Sequence, residues 1–226
     1  MSIPIQSTRT PAESMPDDDV FADRVMSEED LRALLGWPGE LVRRKVLPAL
    51  DEHCRAFIAR SPFLLISSAD ATGACDVSPR GDAPGFVLAL DETRLVIPER
   101  PGNRRMDTPR NILQNPRIGL LFAIPGMGET LRVNGRACVF HDPEVLARLA
   151  TRGKTPLVAI GVEVEECYLH CAKAFKRSRL WEPTSWPAPE SLPSAACMLA
   201  DQAALPDMTA ADVERQLEDS YANRLY

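Results

Sequence analysis

The spacing of apolar residues changes near residue 62, from helical to mostly strand-like. Before that point the pattern is helical. Ser27-Glu28-Glu29-Asp30 reads as a cap followed by acids in a first turn, where the helix dipole favours negative charge. The helix it opens runs through Leu31, Leu34 and Leu35, and Trp37-Pro38-Gly39 ends it. From Glu40 to Ala59, Leu41, Val42, Val46, Leu47, Leu50, Cys54, Phe57 and Ile58 form one apolar stripe. That predicts a second helix, kinked or split at Pro48, which has no N–H to donate. Ahead of both helices, Met1 to Val25 is rich in Pro, Ser and Asp and has no clear period, the pattern of a draped or mobile arm.

After Pro62 the period becomes two. Phe63 to Ala69 and Ala74 to Ser78 read as strands around the turn Asp70-Ala71-Thr72-Gly73. Phe86 to Leu90 and Leu95 to Ile97 form a second hairpin around Asp91-Glu92-Thr93. A helix is predicted from Pro109 to Gln114 and a strand from Arg117 to Ile124. Thr130 to His141 alternates Leu131, Val133, Gly135, Ala137 and Val139 with Arg132, Asn134 and Arg136, a strand with one wet or functional face. Asp142-Pro143 starts a helix through Leu149, and Leu157 to Cys167 is the last clear strand. A short helix follows through Phe175, then a proline-rich connector from Trp186 to Pro193 and a final helix over Met208 to Arg224, capped by Thr209.

Six or seven antiparallel strands joined by hairpins, with inserted helices, predict a mainly β fold of the α+β kind. The expected form is a closed or partly closed antiparallel barrel, not a parallel α/β sheet. There is no βαβ rhythm, no G-x-G-x-x-G and no G-x-x-x-x-G-K-[ST], which disfavours Rossmann and P-loop enzymes. The domain reading is an N-terminal arm and helical extension over 1–59, a barrel over 60–185 and a connector with a helix over 186–226.

Composition narrows the partners. The 226 residues carry a net charge of −6, against a nucleic-acid binder with its usual basic face. No apolar run approaches the roughly 18 residues that span a bilayer, and the start has no apolar leader, so a cytoplasmic protein without membrane contact is expected. The six cysteines are scattered and read as small buried hydrophobes. Cys167-x-x-x-Cys171, with His170 between, would need a second ligand pair to hold zinc, so no metal is expected. Ser78 and Ser178 lie outside any G-x-S-x-G elbow, and Asp76 and Asp82 read as turn or ion-pair partners before catalytic acids.

Against this acidic background the basic residues gather near strand ends. Val96 to Leu113 reads as a strand end, an arginine-rich turn and a helix start, with Asp107 or Thr108 as N-cap and Pro109 in the first helical position. Arg100, Arg104 and Arg105 therefore precede a helix N-terminus, which suits a phosphate and equally suits a solvated loop. Three further stretches are candidates: Asp76 to Gly85, the single face Arg132-x-Asn134-x-Arg136, and His170 to Trp181.

Several ordered motifs carry a resemblance. They are Ser78-Pro79-Arg80-Gly81-Asp82…Pro84-Gly85-Phe86, Ile97-Pro98-Glu99-Arg100-Pro101-Gly102-Asn103-Arg104-Arg105, Asn111-Ile112-Leu113…Asn115-Pro116, Ile124-Pro125-Gly126…Glu129-Thr130-Leu131-Arg132-Val133-Asn134-Gly135, and Cys171-Ala172-Lys173-Ala174-Phe175…Arg177-Ser178. From about Phe63 to Trp181 the chain resembles the FMN-binding split-barrel proteins related to pyridoxamine 5'-phosphate oxidase. The resemblance implies a homodimer of six-stranded split barrels with FMN in clefts at the interface, acting on a small-molecule substrate. It implies Ser78 and Arg80 beside the ring or ribityl chain and Ile97, Pro98 and Glu99 presenting backbone to the flavin. Arg104 and Arg105 would hold the phosphate, with Asn111 assisting. Arg132 and Asn134 would face the cleft, with Lys173, Ser178 and Trp181 reaching in from the partner. Redox chemistry would then belong to the flavin, so the sequence names no catalytic residue. A non-catalytic flavin carrier, store or sensor, or a barrel holding another anion, would use the same arginines. The chain ends in Tyr221-Ala222-Asn223-Arg224-Leu225-Tyr226, without the arginine-rich segment that closes the substrate site of a true pyridoxamine-phosphate oxidase, so oxidation of vitamin B6 is not implied.

Overall fold

The computed structural model describes residues 22–226, so the predicted arm over residues 1–21 lies outside the described residues. The helix α1 spans Glu28–Leu35, and Ser27 caps it by accepting from the Asp30 N–H. The predicted second helix is split into α2 (Glu40–Arg44) and α3 (Glu52–Ile58). Pro48 cannot continue the ladder, and Leu47 instead exchanges backbone bonds of 2.9 and 2.8 Å with Cys167. Only the second half of the apolar stripe is buried. Leu50, Cys54, Phe57 and Ile58 enter the core, whereas Leu41 and Val42 stay exposed.

Seven strands follow: β1 (Phe63–Ala69), β2 (Cys75–Gly81), β3 (Leu88–Ala89), β4 (Arg94–Pro98), β5 (Arg117–Ala123), β6 (Thr130–Phe140) and β7 (Ala159–His170). Every pairing is antiparallel, in the order β2-β1-β5-β6-β7-β4-β3. β2 runs three residues past its predicted end and takes in Pro79. Proline is tolerated there because β2 is an edge strand and needs to satisfy only one neighbour. β7 likewise runs past Cys167 to His170, paired throughout with β6.

The sheet curls so that its two ends share one core. Leu64 and Ile66 of β1, Ile118, Leu120 and Phe122 of β5, and Leu95 and Ile97 of β4 lie in a single buried cluster with Phe57 and Ile58 of α3. Across the seam, the Arg80 side chain of β2 bonds Glu99 just beyond β4, and Asp82 bonds Arg100. Side chains thus close the barrel where no strand ladder does, which makes it a split barrel. β4 is buried on its other face too, because Val96 packs with Leu146 and Leu149 from α5 (Pro143–Arg148) and its following loop.

The β6–β7 ladder slips between Asn134 and Gly135. Asn134 pairs with Glu166 but Gly135 pairs with Val164, leaving Glu165 as the extra residue of a bulge. A side chain on Gly135 would place its Cβ 1.9 Å from the Glu163 carbonyl oxygen, so the position admits only glycine.

The helix α4 (Asp107–Gln114) packs on β1, β2 and β6. Its start corrects the sequence reading. Met106, left-handed at φ 57°, is the N-cap, and neither Asp107 nor Thr108 caps with its side chain. Asp107 instead accepts from Arg105, and Thr108 is buried. Pro109 falls at the third helical position, still inside the first turn, where its missing N–H leaves no ladder bond unmade. The short helix α6 (Lys173–Ser178) follows β7. α7 (Ala195–Ala203) was not expected from the sequence, although Ser194 caps it. It packs against α8 (Ala210–Asn223), which carries the expected Thr209 cap as a reciprocal box with Asp212.

All six cysteines are free thiols. Cys54 and Cys167 meet in the core with sulfurs 3.8 Å apart, and burial, with the nearby Asp51, pushes the Cys54 thiol up to about 12. These two are core hydrophobes, and Cys75, Cys138, Cys171 and Cys197 are exposed.

Candidate functional site

The edge strand β2 alternates an exposed face (Cys75, Val77, Pro79) with a half-buried polar one (Asp76, Ser78, Arg80). That polar face is the floor of the site, and α4 is fastened beside it. Asn111, 5% exposed, donates through Nδ2 to Ser68 Oγ at 3.1 Å and to Asp76 Oδ2 at 3.0 Å. Its amide nitrogen is therefore occupied in holding the helix that carries the arginine turn.

Arg80 Nη2 reaches Glu99 Oε2 at 3.0 Å, with both side chains about four-fifths buried. Burial pushes the Glu99 carboxyl above its usual range, against the pull of the Arg80 guanidinium. Arg80 Nε is buried and, among the described residues, has no acceptor. The Thr108 hydroxyl, on the first turn of α4, is in the same condition. A buried donor without a partner costs roughly 1–3 kcal/mol, so each is a place where a ligand oxygen would be stabilising.

The next pair along the seam is tighter. Arg100 Nε lies 2.8 Å from Asp82 Oδ2, with side-chain exposures of 16% and 3%. Asp82 Oδ1 also accepts from the Ala83 N–H and from the Tyr226 hydroxyl, each at 2.8 Å. Burial alone would raise the Asp82 carboxyl, but these bonds and the Arg100 charge outweigh it and hold the group below its ordinary 3.8. A depressed carboxyl stabilises the fold above its unfolded value, and that stability is lost as pH falls through 3.8 and below. Asp82→Asn is expected to cost about 1–3 kcal/mol at neutral pH, because Arg100 is left buried without its counter-charge. It should also flatten the acid limb of a urea-denaturation series taken from about pH 5 to about pH 2. An acid limb as steep as that of the parent would refute the linkage.

The arginine turn lies just outside this floor. Arg104 is exposed and left-handed at φ 61°. Arg105, also exposed, is steered by its own N–H to Asn103 Oδ1 (3.1 Å) and by Nε to Asp107 Oδ2 (2.9 Å). Ile97 is fully buried in the core, Pro98 is buried, and the Glu99 N–H donates to the Val158 carbonyl.

The remaining predicted residues stand apart within one chain. Register places Pro79, Leu65, Leu121, Arg132 and Tyr168 in one row across the outer face of the sheet, opposite to Arg80. There Arg132 Nε donates to Asn134 Oδ1 (3.2 Å), and Asn134 Nδ2 donates to Glu166 Oε1 (2.8 Å). Arg132 and Lys45 both lie within 6 Å of the Tyr168 ring, at 5.7 and 5.1 Å. On and after α6, Lys173 is exposed and Ser178 Oγ donates to the Phe175 carbonyl (3.2 Å). Trp181 stacks on Phe175 and donates to the Met127 carbonyl (2.9 Å). One chain thus brings together Ser78, Arg80, Glu99 and the α4 start, but not Arg132, Asn134, Lys173, Ser178 or Trp181. Sequence reasoning missed the Asp82–Arg100–Tyr226 chain of bonds. The charges of Asp82 and Arg100 were visible, but nothing in the local pattern points from Tyr226 to a turn 144 residues earlier.

Among the described residues no group of three or more His, Cys, Asp or Glu is placed to hold a metal ion, and no helix is long and apolar enough to cross a membrane. The family model of pyridoxamine 5'-phosphate oxidase matches residues 50–171. Comparison with curated proteins gives no match. Among solved structures, the chain is similar to HupZ of Group A Streptococcus at 16% identity and a TM-score of 0.44, covering 53% of this chain and 93% of that one. It is also similar to a putative pyridoxamine 5'-phosphate oxidase of Lactobacillus delbrueckii, at 20% identity and a TM-score of 0.43, covering 54% and 95%. A third is an F420 reductase, at 20% identity and a TM-score of 0.39, covering 52% and 98%.

Proposed function

Because the chain belongs to the pyridoxamine 5'-phosphate oxidase family, we propose that it is an FMN-binding flavoprotein. In this reading it works as a homodimer and passes hydride or electrons between a nicotinamide or other donor and a small substrate. The observation that carries the reading is the buried Arg80 Nε beside Glu99, without an acceptor among the described residues, with Arg104 and Arg105 just ahead of the neighbouring helix. These residues fit a phosphorylated, hydrogen-bonding cofactor. Arg80 and Ser78 would meet its polar ring edge or ribityl chain. Ile97 to Glu99 would lie along it, and the exposed arginines would hold its phosphate, for which forked, permanent cations are suited. Bound FMN would supply the redox chemistry, and the protein would supply orientation and charge.

Two features support the dimer. The outer sheet face leaves Val77 64% and Phe63 39% exposed, next to the partly buried Leu65 and Leu121. The second is that Arg132, Asn134, Lys173, Ser178 and Trp181 stand apart from Arg80 within one chain, so that Lys173, Ser178 and Trp181 would reach the cleft from the partner. Titration of purified protein with FMN, followed by absorbance at about 450 nm and by sizing chromatography, tests both claims. Saturable binding of one FMN per chain by a dimer is expected. A protein that gains no flavin absorbance ends the reading, and a monomer that holds FMN ends its dimeric form. Reduction of the bound flavin by NADH or NADPH without oxygen would mark an oxidoreductase. Flavin left oxidised by every donor would mark a store or sensor.

A further inference from the structure

A cavity of about 160 Å³ opens on the far side of the Asp82–Arg100 pair, between the turn after β2 and the end of α5. One water occupies roughly 10–15 Å³ on this measure, so the space suits a small organic molecule. Phe86, Leu88 and Leu149 give it an apolar lining. Its charged members are Asp82, Arg100 and Arg148. Arg100 is committed to Asp82, which leaves Arg148 as the net charge of the cavity. The Arg148 side chain is exposed at the rim and bonds no acceptor among the described residues.

The two walls are joined at the edge by Tyr226. Its hydroxyl bonds Asp82 on one wall. The Arg152 guanidinium lies 4.5 Å from the centre of its ring, next to Thr151 on the other wall. Lys154 donates to the Tyr226 carbonyl from the same loop.

We propose that this cavity binds a small monocarboxylate with an apolar body. Its carboxylate would be held by the Arg148 fork, and its body would lie on Phe86, Leu88 and Leu149. One uncompensated cation in the lining matches one negative charge, and inorganic phosphate has no apolar body to lie on Phe86, Leu88 and Leu149. The proposal is independent of the flavin reading, because no residue assigned to FMN lines the cavity.

Benzoate is the probe, followed by isothermal titration calorimetry on the full chain, with benzamide and inorganic phosphate as the uncharged and dianionic comparisons. Saturable binding of one benzoate per chain is expected, with benzamide and phosphate at least about tenfold weaker. Arg148→Ala, a surface change, should weaken benzoate by about tenfold or more while the circular dichroism and the FMN titration stay those of the parent. Arg148→Lys, which keeps the charge and loses the fork, should fall between them. Benzoate that does not saturate, or that binds Arg148→Ala as tightly as the parent, overturns the proposal. So does benzamide or phosphate that binds as tightly as benzoate.

Discussion

Gly135→Ala lowers the stability of the barrel by at least about 3 kcal/mol, the upper range for an inserted methyl group. The new Cβ would lie 1.9 Å from the Glu163 carbonyl oxygen, 3.0 Å from its carbon and 3.3 Å from the Val164 Cα. All three are backbone atoms of β7, a strand paired on both sides by β6 and β4. A flexible side chain could swing away from such a contact, but a ladder cannot yield without breaking hydrogen bonds in its neighbours. The strain is released only by undoing the bulge, and that shifts Glu165 and every residue beyond it to the opposite face. Urea unfolding at fixed protein concentration should show a lower midpoint with an unchanged slope, or no folded protein at all. A variant within about 1 kcal/mol of the parent would show that the two strands do not approach here as described.

The second large effect is on cofactor affinity. Replacing Arg104 and Arg105 together by alanine should weaken FMN by about 3 kcal/mol or more, at least roughly a hundredfold in Kd, from two lost charged hydrogen bonds. The shares should be unequal. Arg105 is held by Asp107 in a pair whose arginine is 56% exposed, and leaving that partner offsets part of what it gains from a phosphate. Arg104 has no such partner among the described residues, so Arg104→Ala should account for the larger part. Both side chains are exposed, and thermal stability without FMN should stay within about 0.5 kcal/mol of the parent. An FMN affinity unchanged in the double variant removes the phosphate from this turn.

The strands were legible because a half-buried sheet imposes a period of two, and β1, β5 and β6 keep it almost without fault. Pro79 was misleading for a physical reason. Proline forbids a central strand and tolerates an edge, and which strand is the edge is a property of the whole sheet. The start of α4 was misread because its turn uses left-handed Arg104 and Met106, residue types that give no local sign of that conformation. The arginine stretch was recognisable as a cluster, but the partner of each arginine was not. Arg100 closes the seam, Arg105 serves its own turn, and of these three only Arg104 has no side-chain partner among the described residues. Such choices follow from where Asp82 and Asp107 come to rest, which a linear pattern does not contain. The helix α7 was missed although Ser194 and a run of alanines mark it, because the prolines before it drew the reading toward a connector.

The seam between β2 and β4 has a consequence for how the molecule moves. Elsewhere the wall is stitched by backbone hydrogen bonds, and opening it means unzipping a strand. At the seam it is held by two side-chain rungs, Arg80–Glu99 and Asp82–Arg100, with Tyr226 fastened to the second. A closure of this kind is a clasp: it can part and reseat as the arginines change rotamer while all seven strands keep their partners. The barrel therefore carries its side-chain closure along the same edge as the buried Arg80 Nε, which has no acceptor among the described residues.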